Sequence, residues 1–165
     1  SVHNAAVGYW TIGTGCMAAS NAVSAYEHSF ASGLLEAAVQ SACDQEPVLL
    51  VGYDAPTVGA LISVTDSRGL LAVALVIASE PSERTVAALD WSLVSEDGTA
   101  AAATPPRSEA AKSLAEINPM AASLGLFESL AHLDDGNVDG AGSPVDLPLS
   151  ASLSLRLQLR PLARG

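Results

Sequence analysis

Basic residues are scarce in this chain: seven Lys and Arg face eighteen Asp and Glu, for a formal charge of −11. Phosphate backbones are bound through Lys and Arg, so this balance argues against nucleic acid as a partner. It also disfavours anionic membrane surfaces, and it repels an acidic carrier protein unless the few cations cluster or a basic partner subunit supplies the contact. Aromatics are only 4% of residues, so the core must be built from small aliphatic side chains, chiefly Ala and Leu. Two cysteines without paired spacing, Cys16 and Cys43, give no disulfide framework, and no Cys/His set has zinc-site spacing. Long apolar runs are missing too. The longest, Leu70 to Ala78, falls far short of the ~20 residues that span a bilayer, and no basic-then-apolar leader pattern opens the sequence. A cytoplasmic protein with no membrane partner and no cofactor is expected. The 165 residues suffice for one domain with a sizeable core.

What is present is concentrated in the first half. Tyr9 to Thr14 reads as a short helix or an irregular approach, and Ala22 to Ala25 as a buried strand end before a sharp turn at Glu27. From Glu27 to Cys43, Phe30, Leu34, Leu35, Ala38, Val39 and Ala42 recur at helical spacing. Gly33 weakens that helix unless another backbone packs closely there, and Asp44-Gln-Glu-Pro47 stops it. Strand, elbow and helix in this order are how α/β enzymes present a nucleophile. Pro47–Asp54 and Leu70–Ala78 are uninterrupted apolar runs that fit central strands covered on both faces.

The second half is looser. Val86 to Val94 places Leu89, Trp91 and Leu93 on one face of a half-exposed strand. Residues 96–107 have loop composition, Ser108 is an N-cap for a helix over Glu109–Ile117, and Asn118-Pro119 interrupts it before Met120–Leu133 resumes. Asp134 to Pro148 is acidic and Gly-rich and reads as a surface loop. Leu153, Leu155, Leu157 and Leu159 alternate with polar residues in a closing amphipathic strand that ends at Pro161. These elements predict a layered α/β fold. A single domain over 1–165 is expected, with an ordered core at 1–80 and a looser strand-helix-strand part at 81–165.

Three segments closely resemble the β-ketoacyl synthase-like family of the N-terminal-domain, chain-length-factor-like type, within the thiolase-like superfamily. They are Ser1-Val-His-Asn-Ala-Ala-Val-Gly-Tyr-Trp-Thr-Ile-Gly-Thr-Gly15, Ser29-Phe-Ala-Ser-Gly-Leu-Leu-Glu-Ala-Ala-Val-Gln40 and Pro47-Val-Leu-Leu-Val-Gly-Tyr-Asp-Ala-Pro56. The resemblance is specific to about Ala78 and weaker beyond. It implies a thiolase-like layered sandwich with a mixed sheet, lacking the first β-α-β stretch, in which the elbow helix is buried between layers. In condensing enzymes of this kind the elbow carries a cysteine, activated by the helix dipole and backbone N–H groups, and downstream histidines promote malonyl decarboxylation. Here the matching position is Glu27, and its neighbours Tyr26, His28 and Ser29 supply no thiol either. Beyond the elbow the sequence offers one histidine, His132, without the flanking pattern.

The resemblance therefore implies a non-catalytic, chain-length-factor-like protein of fatty-acid or polyene (polyketide-type) acyl biosynthesis. Its partner would be an active ketosynthase subunit or a second copy, with an acyl carrier protein as a further contact. The alternative is a thioester-acting enzyme, a malonyl decarboxylase or an acyl hydrolase or transferase, using Glu27, His28 or Ser29. A third reading is a structural assembly protein without an acyl pocket, for which a filled cavity beside Glu27 would speak.

Each candidate also has a plainer structural role. Glu27 is an acid at a helix start, favoured by the dipole. His28 and Ser29 cap and pack near the elbow; no Gly-x-Ser-x-Gly elbow surrounds Ser29, and adjacent residues at a helix start point apart. Cys16 and Cys43 read as packing residues, Gly13-Thr-Gly15 lacks the rest of a dinucleotide fingerprint, and Met120 and Phe127 read as core. His3 and Asn4 precede the first motif and are assigned no role. Asp135, Asn137 and Asp139 match the opening of a calcium loop. Asp146 stands where a bidentate Glu belongs, and Pro144 and Pro148 deny the exiting helix, so a hydrated turn is the expectation.

Overall fold

Period-two alternation is strongest in the closing segment, and that segment becomes the middle strand of a sheet. The computed structural model describes residues 4–65, 67–95, 100–134 and 143–162. Within them the order is α1 (Ala5–Thr14), α2 (Ser29–Asp44), β1 (Val48–Asp54), β2 (Leu71–Ile77), β3 (Ala87–Ser95), α3 (Glu109–Ala115), α4 (Leu124–Asp134), β4 (Val145–Pro148) and β5 (Leu153–Pro161). Short 3₁₀ segments lie at Gly59–Ser63 and Pro119–Ser123.

Strand β5 pairs antiparallel with β3 on one side and β4 on the other. Leu157 faces Trp91 and Val145 across the two pairings, and Leu155 faces Leu93 and Leu147. Leu155, Leu157 and Leu159 are buried, while Arg156 and Arg160 point the other way to ion-pair with Asp146 and Asp90. The presence of β4 corrects the expectation of a loop through Pro148. Val145 and Leu147 do alternate with Asp146 and Pro148, but four residues among Gly and Pro give too short a pattern to recognise. Pro148 is tolerated because β4 is an edge strand, where the missing N–H is not needed.

Strands β1 and β2 form a separate antiparallel pair, with Leu50 opposite Leu75 and Gly52 opposite Val73. Their burial alternates strictly. The inner side chains, among them Leu50, Leu71, Val73, Leu75 and Ile77, pack on the core, whereas Leu49, Val51, Tyr53 and Val76 are exposed. The expectation of two strands covered on both faces is thus corrected: among the described residues one face is covered. The strand pairs here are antiparallel, in place of the mixed sheet that the resemblance implied.

Helix α2 lies on β1 and contributes Phe30, Ala31 and Leu34 to the core. This core also takes Leu126 and Leu133 of α4, and Val145, Leu147, Leu155 and Leu157 of the three-stranded sheet. The buried stripe of α2 runs through Phe30, Leu34, Ala37, Ala38 and Ser41; Val39 and Ala42, expected in it, turn outward. At Gly33 no backbone makes the close approach the sequence called for; the near neighbour is a side chain, since a Cβ there would lie 3.3 Å from Leu50 Cδ1. The helix ends at Gln45, whose left-handed backbone (φ 56°) closes the last turn.

Ser108 caps α3 as expected, accepting from the Ala111 N–H. Asn118 does break the helical run. Its Oδ1 accepts from the Met120 N–H at 3.0 Å, and its Nδ2 donates to the Gly69 carbonyl at 3.0 Å. With the Arg68 N–H donating to the Ile117 carbonyl, this buried asparagine fastens the α3–α4 corner to the approach of β2. Met120 is buried and Phe127 packs against the core, in a tilted contact with Phe30. No helix among the described residues is long and apolar enough to cross a membrane.

The elbow at the start of α2

Residues 22–28 form no strand. Val23 is exposed, so the expected buried strand end is absent and the chain reaches α2 as an irregular segment stapled by its own hydrogen bonds. The His28 N–H donates to the Ala25 carbonyl at 3.0 Å, and the Ser29 N–H to the Tyr26 carbonyl at 3.2 Å. The left-handed residue of this turn is Tyr26, with φ 51°. A non-glycine residue in that region is strained by contact of Cβ with the carbonyl, so the sharp point of the elbow is Tyr26, one residue before Glu27. Only the folded backbone reveals this, because nothing in Ala25-Tyr26-Glu27-His28 signals a positive φ.

Four side chains crowd the turn. Tyr26 is 73% exposed and projects into solvent. Glu27 is exposed as well, and it precedes the N-cap residue His28 rather than lying in the first turn of α2. His28 is the more buried of the two, and its Nε2 lies 3.7 Å from Glu27 Oε1. Ser29 is committed to the backbone: its Oγ accepts from the Ala25 N–H at 2.8 Å and donates to the Tyr26 carbonyl at 2.6 Å. That hydroxyl proton is not offered to His28, so the pair does not form a nucleophile and its base. The structure does bring Glu27, His28 and Ser29 together, as a histidine beside a carboxylate and a serine serving as a staple.

Beside Glu27 the surface holds a cavity of only about 10 Å³, bordered by Phe30, Ala31, Met120 and Leu147. That is the scale of one water molecule. A larger open groove of about 430 Å³ lies between α3 and α4, lined by Ser108, Ala111, Leu114, Leu124, Phe127 and Glu128.

The remaining candidates stand apart from the elbow. Cys43 sits at the opposite end of α2, about 20 Å away by helical rise, and it is exposed, as is Cys16 just after α1. Neither is the packed core thiol the sequence suggested. Gly15 is the left-handed C-cap of α1, and a Cβ at Gly13 or Gly15 would meet nothing within 4 Å, so Gly13-Thr-Gly15 encloses no ligand-sized cradle. His132 lies in the last turn of α4. His3, Asp135, Asn137 and Asp139 lie outside the described residues. Asp146 belongs to β4, where both carboxylate oxygens accept from Arg156 at 2.7 Å, so neither is free for a cation. Among the described residues no three His, Cys, Asp or Glu side chains converge as a metal site would require.

The sequence matches the model of the family described as Beta-ketoacyl synthase, N-terminal domain, over residues 1–130. The chain belongs to this family. Its architecture is that of a partial thiolase-like α/β fold, and the match runs well past Ala78, through α3 and into α4. No curated protein and no solved structure matches the chain. In this chain the elbow Tyr26-Glu27-His28-Ser29 carries no thiol, and the exposed Cys16 and Cys43 lie elsewhere.

Proposed function

We propose that this chain is a non-catalytic, chain-length-factor-like member of the ketosynthase family, acting in fatty-acid or polyene acyl biosynthesis beside an active ketosynthase. One observation carries the reading: a family scaffold whose elbow is built around Tyr26, Glu27, His28 and Ser29. Chain extension on such a scaffold needs a thiolate to hold the acyl group as a thioester. A carboxylate, a phenol or a hydroxyl tied to backbone does not replace it. The small cavity beside Glu27 has no room for an acyl chain, so on this reading no acyl group is held there. The acyl group then sits in the partner, and this subunit contributes the wall that limits its length. The test is co-purification from the native host followed by deletion. Recovery of a ketosynthase and a changed product length support the reading; a chain that never recovers one, with product length unaltered, overturns it. Unaltered length with a ketosynthase still bound would favour an assembly role without acyl contact, the reading to which the filled cavity also lends weight.

A second reading is favoured by the Glu27–His28 contact, which places a base beside a carboxylate at a helix start. Here the protein would act on malonyl or acyl thioesters as a decarboxylase or hydrolase. Turnover of those thioesters by the purified chain, abolished by Glu27→Ala or His28→Ala, would establish it in place of the first.

A further inference from the structure

The chain that carries α3 is pinned at both ends and loosely held between them. At the first end the Thr104 N–H donates to the Asp146 carbonyl at 2.8 Å, and the Asp146 N–H donates to Thr104 Oγ1 at 2.8 Å. This strap crosses α4 so closely that a Cβ at Gly125 would lie 2.7 Å from the Thr104 carbonyl oxygen. Pro105 and Pro106 follow with fixed φ, and Pro106 is buried. At the second end the buried Asn118 donates to Ser67 Oγ at 3.3 Å and to the Gly69 carbonyl at 3.0 Å. Between these pins, none of the seven residues of α3 is buried. The helix packs on the 3₁₀ segment Pro119–Ser123, but an open groove of about 430 Å³ separates it from the α4 wall of Leu124, Phe127 and Ala131.

Glu128 of α4 bridges the two walls of this groove. Its Oε2 accepts from the Arg107 N–H, and its Oε1 accepts from the Ser108 N–H at 3.0 Å and the Ser108 hydroxyl at 2.6 Å. The same Ser108 Oγ accepts from the Ala111 N–H at 3.3 Å, so the carboxylate holds the cap of α3 and through it the helix. Arg107 and Ser108 are exposed, and water competes for each of these bonds. A segment with little buried surface and a wet polar clasp is the kind that opens below the free energy of global unfolding.

We propose that α3 is a flap, hinged at Pro106 and Asn118 and latched by Glu128, which lifts from α4 as a unit while the rest of the fold stays closed. Opening frees the clasp, undoes the cap and uncovers Leu124 and Phe127. Phe127 leads inward, its ring centroid 5.9 Å from that of Phe30 in the first turn of α2 beside the elbow. The flap goes beyond both functional readings, and it stands or falls independently of a ketosynthase partner or of thioester turnover.

The test is amide hydrogen exchange, read residue by residue on the full 165-residue chain at neutral pH over a series of low urea concentrations. Amides from Lys112 to Asn118 should share one opening free energy, lower than that of the β5 amides and nearly independent of urea, because the opening exposes little surface. Glu128→Gln should speed exchange of the α3 amides about tenfold or more, as the loss of bonds to a charged acceptor predicts. Ser108→Gly, at an exposed position, removes the hydroxyl bond alone and should speed the same amides by a smaller factor; it serves if Glu128→Gln fails to fold. Amides of α3 that exchange with β5 at one free energy and one urea slope would show that no separate opening exists and overturn the proposal. So would α3 exchange that neither substitution changes, or α3 amides that are unprotected in the parent chain.

Discussion

Phe30 rests on Gly52: a Cβ built at residue 52 would lie 2.9 Å from Phe30 Cδ2 and 3.2 Å from Met120 Sδ. Phe30 is the second residue of α2, so this contact sets how far the elbow stands from the centre of β1. Gly52→Ala should cost about 1–3 kcal/mol through overpacking, read as a lower urea midpoint with unchanged slope. Phe30→Leu in the same chain should recover part of the loss. A neutral Gly52→Ala would mean that the helix is not seated as described.

Tyr26 bears the one strained backbone angle of the elbow, and its exposed ring contributes little burial. Tyr26→Gly removes the Cβ clash, worth roughly 1 kcal/mol, and should leave thermal stability equal or higher. Tyr26→Ala keeps the clash and should bring no gain. The pair of melting curves distinguishes strain from some unrecognised packing of the ring.

Glu128 controls the acid limit of the α3–α4 corner. Partial burial works against its charge, but hydrogen bonds from the Arg107 N–H and from the hydroxyl and N–H of Ser108, with the nearby Arg107 charge, outweigh it. The carboxyl is held below its ordinary value of 4.5. A depressed folded value means stability fully present above pH 4.5 and lost as pH falls through the folded value. Glu128→Gln should therefore destabilise at neutral pH, and its difference from the parent should shrink on acidification below that point. Chemical denaturation at a series of pH values checks the sign.

Asp146 and Arg156 form a two-point ion pair between β4 and β5, half open to solvent. Asp146→Asn should cost about 1 kcal/mol, in the range of a well-oriented, partly exposed pair. Because both oxygens are engaged, calcium should leave the melting temperature of the parent chain unchanged. A calcium-dependent rise that Asp146→Asn abolishes would restore the loop as a cation site.

The alternation of Leu153 to Leu159, the cap at Ser108 and the break at Asn118-Pro119 were all legible in the sequence. Each is decided by residues adjacent in the chain: period, cap and proline act over a turn or less. The absence of a thiol at the elbow was legible for the same reason, since a missing residue type needs no geometry.

Position in space was not legible. That the left-handed residue is Tyr26 and not Glu27, that Ser29 spends its hydroxyl on the backbone, and that Cys16 and Cys43 are exposed depend on how the chain folds back on itself. The same holds for the strands. Apolar runs at 47–54 and 70–78 fitted strands covered on two faces, but a sequence states only that side chains are apolar and not what lies against them. The tertiary structure decided that, closing the inner face with α2 and leaving Leu49, Val51 and Tyr53 open, because burial belongs to the pair of surfaces and a single strand encodes one member of it.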